Sequence, residues 1–480
     1  MEKLRRSKYL YICFGVHILP ILVMYFITCF YLQYVKFWEY SIFTFAFSLP
    51  LLSSLYEVVE KRRGYFYYLL SILFFLGFVG KFSMHEIFRY DYVEPIGFFK
   101  FSRESVSEVL LIGVVGAVGF FLSEMASKKL FRSREVSRLE DRKNNVDWRG
   151  RVLFLFITAV LALVNLKYNV LLFGVVPSIQ LPLYGNIIFF LILTRGMGFI
   201  YSFHYLNKLS IIDIAIGSMI MLLASVGVLS RMFIVVYFLV VFIVFLSNVR
   251  GGSYRKKVKG IIVTFISFLL LSSFTVLVSS QLRQESTATS NSLFIRSVEI
   301  VRNLDRSDIR NMMSSYIKLA VDRWIGMEGL MAAASYPNKS PRLLIEGLLE
   351  KSYKGNSFYT KVSSPNLGKK NIAANLKIST SVPGPIAFLY YSGSLLIVFL
   401  GMFLVPLGLY TMLYYSSNFA ALGTFSSAYI SSFIAFDFFQ FGISPRSFVA
   451  YTVFTIVCMI IYMGLYSKFY KNGDTSAKHS

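Results

Sequence analysis

The sequence predicts an all-α, polytopic membrane protein with about twelve transmembrane helices and one large, mostly helical outward loop. Composition is the first reason: 56% of the 480 residues are hydrophobic and only 15% are charged, with a mean hydropathy of +0.60, whereas soluble domains are about a quarter charged. The second reason is clustering, because the apolar residues fall in continuous runs near the length that crosses about 30 Å of hydrocarbon as helix. Barrel strands would alternate over about ten residues instead. The third is the placement of cations between the runs.

In chain order the runs are Tyr9–Leu32, Phe37–Leu55, Gly64–Phe82, Ser105–Ser123, Val152–Phe173, Asn186–Leu206, Leu209–Leu229, Met232–Val249, Gly260–Ser280, Pro385–Leu413, Phe419–Phe441 and Ser447–Tyr466. The first follows Lys3, Arg5, Arg6 and Lys8 and has no small-residue cleavage site behind a short apolar core, so a retained anchor is expected. The second contains Pro50, and Asn207-Lys208 closely separates the sixth run from the seventh.

Short cytoplasmic connections collect Lys and Arg. With the N-terminus inside, the even-numbered connections hold Lys61-Arg62-Arg63, then Lys128, Lys129, Arg132, Arg134, Arg138, Arg142, Lys143 and Arg149, then Lys208, then Arg250, Arg255, Lys256, Lys257 and Lys259. Both termini are expected in the cytoplasm. Topology accounts for most of the +24 net charge, so nucleic acid is not an expected partner; no base-stacking platform or reading motif accompanies the charge. Cys13, Cys29 and Cys458 all sit inside expected helices, which calls for no bridges. No internal repeat is visible, against a transporter built from repeated halves.

These features divide the chain into residues 1–280 with the first nine helices, an outward cap at 281–384, and residues 385–480 with the last three helices and a cytoplasmic tail. The cap far exceeds an ordinary connection of about 4–6 residues. Phe294, Val298 and Val301 share a helical face, and Ile309, Met312, Met313, Tyr316, Leu319 and Ala320 mark a second amphipathic run. Ser340 as cap and Pro341 as first helical residue predict a short helix ending near Lys351.

Candidate site residues lie in the cap and in the membrane. Arg302, Arg306 and Arg310 recur every four residues, aligning guanidinium groups suited to phosphate, with a solvated face paired to Glu299, Asp305 and Asp308 as the alternative. Asp322, Arg323, Trp324 and Glu328 bring carboxylates, a guanidinium and an indole together between glycines. Arg195 lies near the middle of the sixth helix, Arg231 in an outward turn and Arg446 at the outer end of the last helix. Charges in a membrane are functional by default. The alternatives are snorkelling for Arg231 and Arg446 and a structural Arg195–Asp437 pair. His17, His85, His204 and His479 are scattered without metal-ligand spacing, and no nucleotide or hydrolase motif stands out.

The twelve-helix arrangement, the Ser230-Arg231 turn, the outward loop with Asp322-Arg323-Trp324-Ile325-Gly326-Met327-Glu328-Gly329, and the re-entry Ser381-Val382-Pro383-Gly384-Pro385 before Phe388-Leu389-Tyr390-Tyr391-Ser392-Gly393 resemble the O-antigen polymerase (Wzy) family. The resemblance implies a GT-C-like membrane glycosyltransferase of lipopolysaccharide biosynthesis in the bacterial inner membrane, with the large loop periplasmic. Such enzymes join undecaprenyl-pyrophosphate-linked oligosaccharide repeat units, alongside a chain-length regulator and a flippase, without metal or other cofactor. Under this resemblance Arg231, helped by Arg195 and Arg302 or Arg306, would hold pyrophosphate; Arg310, Arg446 and Trp324 would add substrate contacts. Glu328 or Asp322, with Arg323 beside them, would supply the general base. An O-antigen ligase shares this topology, but no His lies between Gln281 and Gly384. A lipid-linked oligosaccharide flippase is the alternative from another class.

Overall fold

The computed structural model describes residues 2–61, 63–89, 96–131, 148–172, 177–182, 185–205, 210–230, 232–247, 325–349, 384–419, 424–441, 445–446, 448–457 and 459–460. Among them every regular element is a helix: α1 (Glu2–Tyr31), α2 (Phe37–Lys61), α3 (Tyr65–Phe88), α4 (Arg103–Leu130), α5 (Trp148–Tyr168), α6 (Gly185–Tyr205), α7 (Ile211–Gly227), α8 (Met232–Ser247), α9 (Met327–Ser335), α10 (Pro341–Leu349), α11 (Gly384–Tyr390), α12 (Leu395–Phe419), α13 (Thr424–Phe439) and α14 (Phe448–Val457). Seven of them, α1 to α6 and α12, are long and apolar enough to cross a membrane, and α7, α8 and α14 are shorter apolar helices. The chain is thus a helical membrane protein. The expected run Gly260–Ser280 and the amphipathic stretches before Trp324 lie outside the described residues.

A helix that is apolar all round is either buried by protein or turned to lipid, and burial separates the two cases here. The apolar stretch of α3 is 89% buried, against α2 and α13, whereas those of α1, α5 and α12 are 17%, 22% and 22% buried. The second group therefore forms a rim, exposing Phe26, Phe30, Phe156, Leu396 and Leu404. Close approach inside the bundle comes from small residues, as hydrophobic burial adds little between helices in lipid. Gly113, Gly116 and Gly119 recur every three residues along α4 and lie against Phe43 of α2, Ile386 of α11 and the Phe399 carbonyl of α12.

Two expectations change. The run Pro385–Leu413 is not one helix: α11 ends at Tyr390, the chain turns through Gly393 at φ 75°, and α12 starts at Leu395. Gly393 adopts the left-handed backbone without a Cβ penalty, and Ser394 caps α12 by accepting from the Ile397 N–H (3.4 Å). The seven residues of α11 rise only about 10 Å, too short to span. The second change concerns the cap. Residues Met327 to Ala334 are all buried and pack between α4 and α11, so this part of the loop enters the bundle instead of lying over it. Its composition permits this, since Glu328 is the one charged side chain in Met327–Ser335. As expected, α10 starts on the Ser340 cap, whose Oγ accepts from Leu343 N–H (3.2 Å), with Pro341 as its first residue.

The inserted segment meets α3 where that helix widens into a π turn, Phe75–Gly80. A Cβ on Gly77 would lie 2.0 Å from the Ile325 carbonyl oxygen, and one on Gly326 would lie 2.1 Å from the Gly77 carbonyl oxygen. Each glycine makes room for the other's backbone. Adding a methyl group at either position should overpack this contact, at a cost of about 1–3 kcal/mol or more. Gly77→Ala and Gly326→Ala should therefore each lower the thermal midpoint of the detergent-purified protein by several degrees, read by size-exclusion after heating. An unchanged midpoint in both would show that the segment does not sit against α3.

Candidate active site in the bundle interior

Seating α9 in the bundle brings Glu328 to Lys81. The carboxylate Oε1 forms an ion pair with the Lys81 ammonium, and the two residues are 2% and 1% exposed. Lys81 is the first residue after the π turn of α3. A π turn inserts one residue into the helix and rotates the residues beyond it by about 100°, so the bulge sets the direction in which Lys81 projects. Burial of this kind stands only with the charges matched, since desolvating an ion costs several kcal/mol.

The far end of α9 is fastened by a second polar group. Lys339 donates to the Ala334 carbonyl at the helix C-terminus (2.5 Å), where a cation also suits the helix dipole. Its ammonium lies 5.3 Å from the centre of the Tyr390 ring, and the Tyr390 hydroxyl donates to Glu108 of α4 (2.9 Å). Burial holds the Lys339 pKa below the usual lysine range, with the Glu108 carboxylate acting in the opposite sense. The Ser340 N–H donates to the Tyr391 carbonyl (2.8 Å), so α9, α10 and α11 are tied together.

Arg195 sits in a second π turn among the described residues, Ile192–Gly196 of α6. Its Nη1 and Nη2 donate to the two carboxylate oxygens of Asp437 on α13 at 2.6 and 2.7 Å, a bidentate pair. The guanidinium also lies 5.5 Å from the Phe433 ring centre and 5.1 Å from that of Tyr451. The structural pairing of Arg195 with Asp437, one of the two expectations for this arginine, is present. Helix α13 also links the two ion pairs, because Phe439 stacks edge-on against Phe74 of α3 and approaches Gly77.

Arg231 lies outside the described residues, and the described residues before and after it are held by polar contacts. Asn165 of α5 donates to the carbonyls of Gly227 (2.8 Å) and Leu171 (3.0 Å), and the Ile234 N–H donates to Ser225 Oγ (3.1 Å). Leu229 takes φ 55°, a left-handed conformation that a bulky side chain rarely adopts and that tends to mark functional turns. Two residues past Arg231, Phe233 stacks on Phe433, the ring that Arg195 covers.

Of the other expected site residues, Arg446 is described and exposed, in keeping with a residue at a helix end. Asp322, Arg323, Trp324, Arg302, Arg306 and Arg310 lie outside the described residues. Arg89, just past the end of α3, donates to the Tyr31 carbonyl of α1 (2.8 Å). The residue that the sequence did not single out is Lys81. It stands one position before the end of the run Gly64–Phe82, where a lysine ordinarily marks the interface; its partner is distant in sequence. Among the described residues no group of three or more His, Cys, Asp or Glu side chains is arranged to hold a metal ion.

Removing one member of a buried pair strands the other, at about 3–5 kcal/mol, whereas replacing both by apolar groups is close to neutral. Asp437→Leu should accordingly be far less stable than Arg195→Met/Asp437→Leu in thermal unfolding of the purified protein. Additive losses would mean that the pair is not coupled. Comparison with known protein families, with curated proteins and with solved structures finds no match.

Proposed function

We propose that the chain is a membrane glycosyltransferase of the O-antigen polymerase type, which joins undecaprenyl-pyrophosphate-linked oligosaccharide repeat units at the outer face of the bacterial inner membrane. The observation that carries this reading is a carboxylate, Glu328, presented inside an apolar bundle by a short helix that is not itself a span and sits beside a buried cation. An ionised pair placed there costs stability that a purely structural contact does not require.

In the proposed reaction the acceptor sugar's hydroxyl oxygen attacks the donor's anomeric carbon. A new carbon–oxygen bond forms as the bond to the pyrophosphate oxygen breaks, and that electron pair leaves with the lipid pyrophosphate. Glu328 takes the hydroxyl proton. The charge growing on the leaving group is met by Arg231, which lies between α7 and α8 in the sequence, with Arg302, Arg306 and Arg446 as further cations; arginine forks suit phosphate oxygens and need no metal. Arg195, already bound bidentately to Asp437, acts by fixing α6 against α13.

A flippase for the same lipid-linked substrates is the second reading, favoured by two buried ion pairs in helices interrupted by π turns, since intramembrane charges also line transport paths. Elongation of a defined lipid-pyrophosphate repeat unit by the purified protein in lipid discs separates the two. A polymerase should elongate, and Glu328→Gln and Arg231→Ala should each lower the rate at matched protein amount, by about 100-fold or more for the base. Transfer of the unit across a vesicle membrane without elongation would replace this proposal by the flippase. Normal chain length in either variant would remove that residue from the mechanism.

A further inference from the structure

We infer that Lys81 is a positioning residue of this site: its ammonium keeps Glu328 anionic and pointing in one direction, ready to accept a proton, in an interior that would otherwise neutralise it. The role of that proton in glycosyl transfer rests on the polymerase reading, but the control of Glu328 by Lys81 does not.

An isolated carboxylate in apolar surroundings takes up a proton instead of staying charged, and a protonated acid cannot serve as a base. Glu328 is buried on a helix whose other side chains are uncharged, and the structure places the Lys81 ammonium on its oxygen. The π turn of α3 and the reciprocal Gly77–Gly326 contact set the two residues against each other, so the pairing is built into the backbone.

Among the described residues, several charged groups on the neighbouring elements have partners of their own. Glu108 of α4 accepts from Tyr390 of α11. On α3, Glu86 accepts the Gln33 N–H and pairs with Arg89, and His85 lies one turn beyond Lys81, buried. Glu39 of α2 accepts from Ser107, and Asp437 of α13 holds Arg195. In the proposed reaction the proton passes from the acceptor hydroxyl to a Glu328 oxygen and leaves from there once product departs.

The test needs no substrate. Dicyclohexylcarbodiimide couples to protonated, membrane-buried carboxyls, so labelling of the peptide containing Glu328 in the full-length purified chain, followed by mass spectrometry at neutral pH, reports the charge on this residue. Wild type and Lys81→Arg should resist labelling, and Lys81→Met should label at least about tenfold more, the effect of one unit in proton affinity. Elongation should fall in Lys81→Met through kcat with KM held, and return in Lys81→Arg. Equal labelling of wild type and Lys81→Met overturns the inference. If Lys81→Met does not accumulate, recovery of folded protein in Lys81→Met/Glu328→Gln supports the coupling and failure to recover overturns it. If labelling rises as expected while the wild type does not elongate, the inference stands and the polymerase reading falls.

Discussion

Charge taken into an apolar interior has to be matched where it lands, and the described part of this molecule is organised around that requirement. Lys81–Glu328 and Arg195–Asp437 each join a span interrupted by a π turn to an element from elsewhere in the chain. Arg151–Asp213, at 2.8 Å, joins α5 to α7 in the same way. Toward the other ends of α2 and α4, Arg63 and Glu57 (2.6 Å) and Lys128 and Glu124 (2.5 Å) line a small polar cavity with Tyr67 and Tyr410. Helices in lipid have little hydrophobic reason to choose one neighbour over another. Matched charges supply that choice, since a wrong pairing would strand an ion.

The backbone devices stem from the same requirement. A regular helix fixes side-chain direction by its 3.6-residue period, so a cation that must meet a given partner sometimes needs a local change of register. The π turns provide it just before Lys81 and around Arg195. The short helices α9 and α11 serve a related end. Neither is long enough to span, yet both are buried, and irregular backbone at membrane depth is tolerated where protein surrounds it. The glycines at 77 and 326 allow backbones to touch without intervening side chains. A loop segment thereby becomes part of the interior, carrying one carboxylate with it.

This arrangement gives the functional proposal its physical content. An ion pair in an apolar interior is poor evidence of stability, because apolar replacements often do as well or better. The proposal therefore rests on where the pair stands, on an inserted, otherwise uncharged helix, and not on any stability it contributes. Leu229, held at φ 55° at the end of α7, is a further position where the backbone takes a conformation that it would not adopt unaided.

The helical membrane class, the seven long apolar helices and the α10 cap were legible in the sequence, because apolar run length and Pro after Ser are local signals. The candidate pair Arg195–Asp437 was also legible, since an arginine and an aspartate each stand alone inside an apolar run and have few other partners. Other features were decided by tertiary structure alone. Lys81 looks like an interface lysine until α9 is seen beside it, and Glu328 looks like a cap residue until the segment is seen to enter the bundle. The break after Tyr390 and the π turns depend on what packs against them, which no periodicity records. Hydrophobic pattern reports whether a residue prefers to leave water; which charge it then meets is set by the contact between helices far apart in the chain.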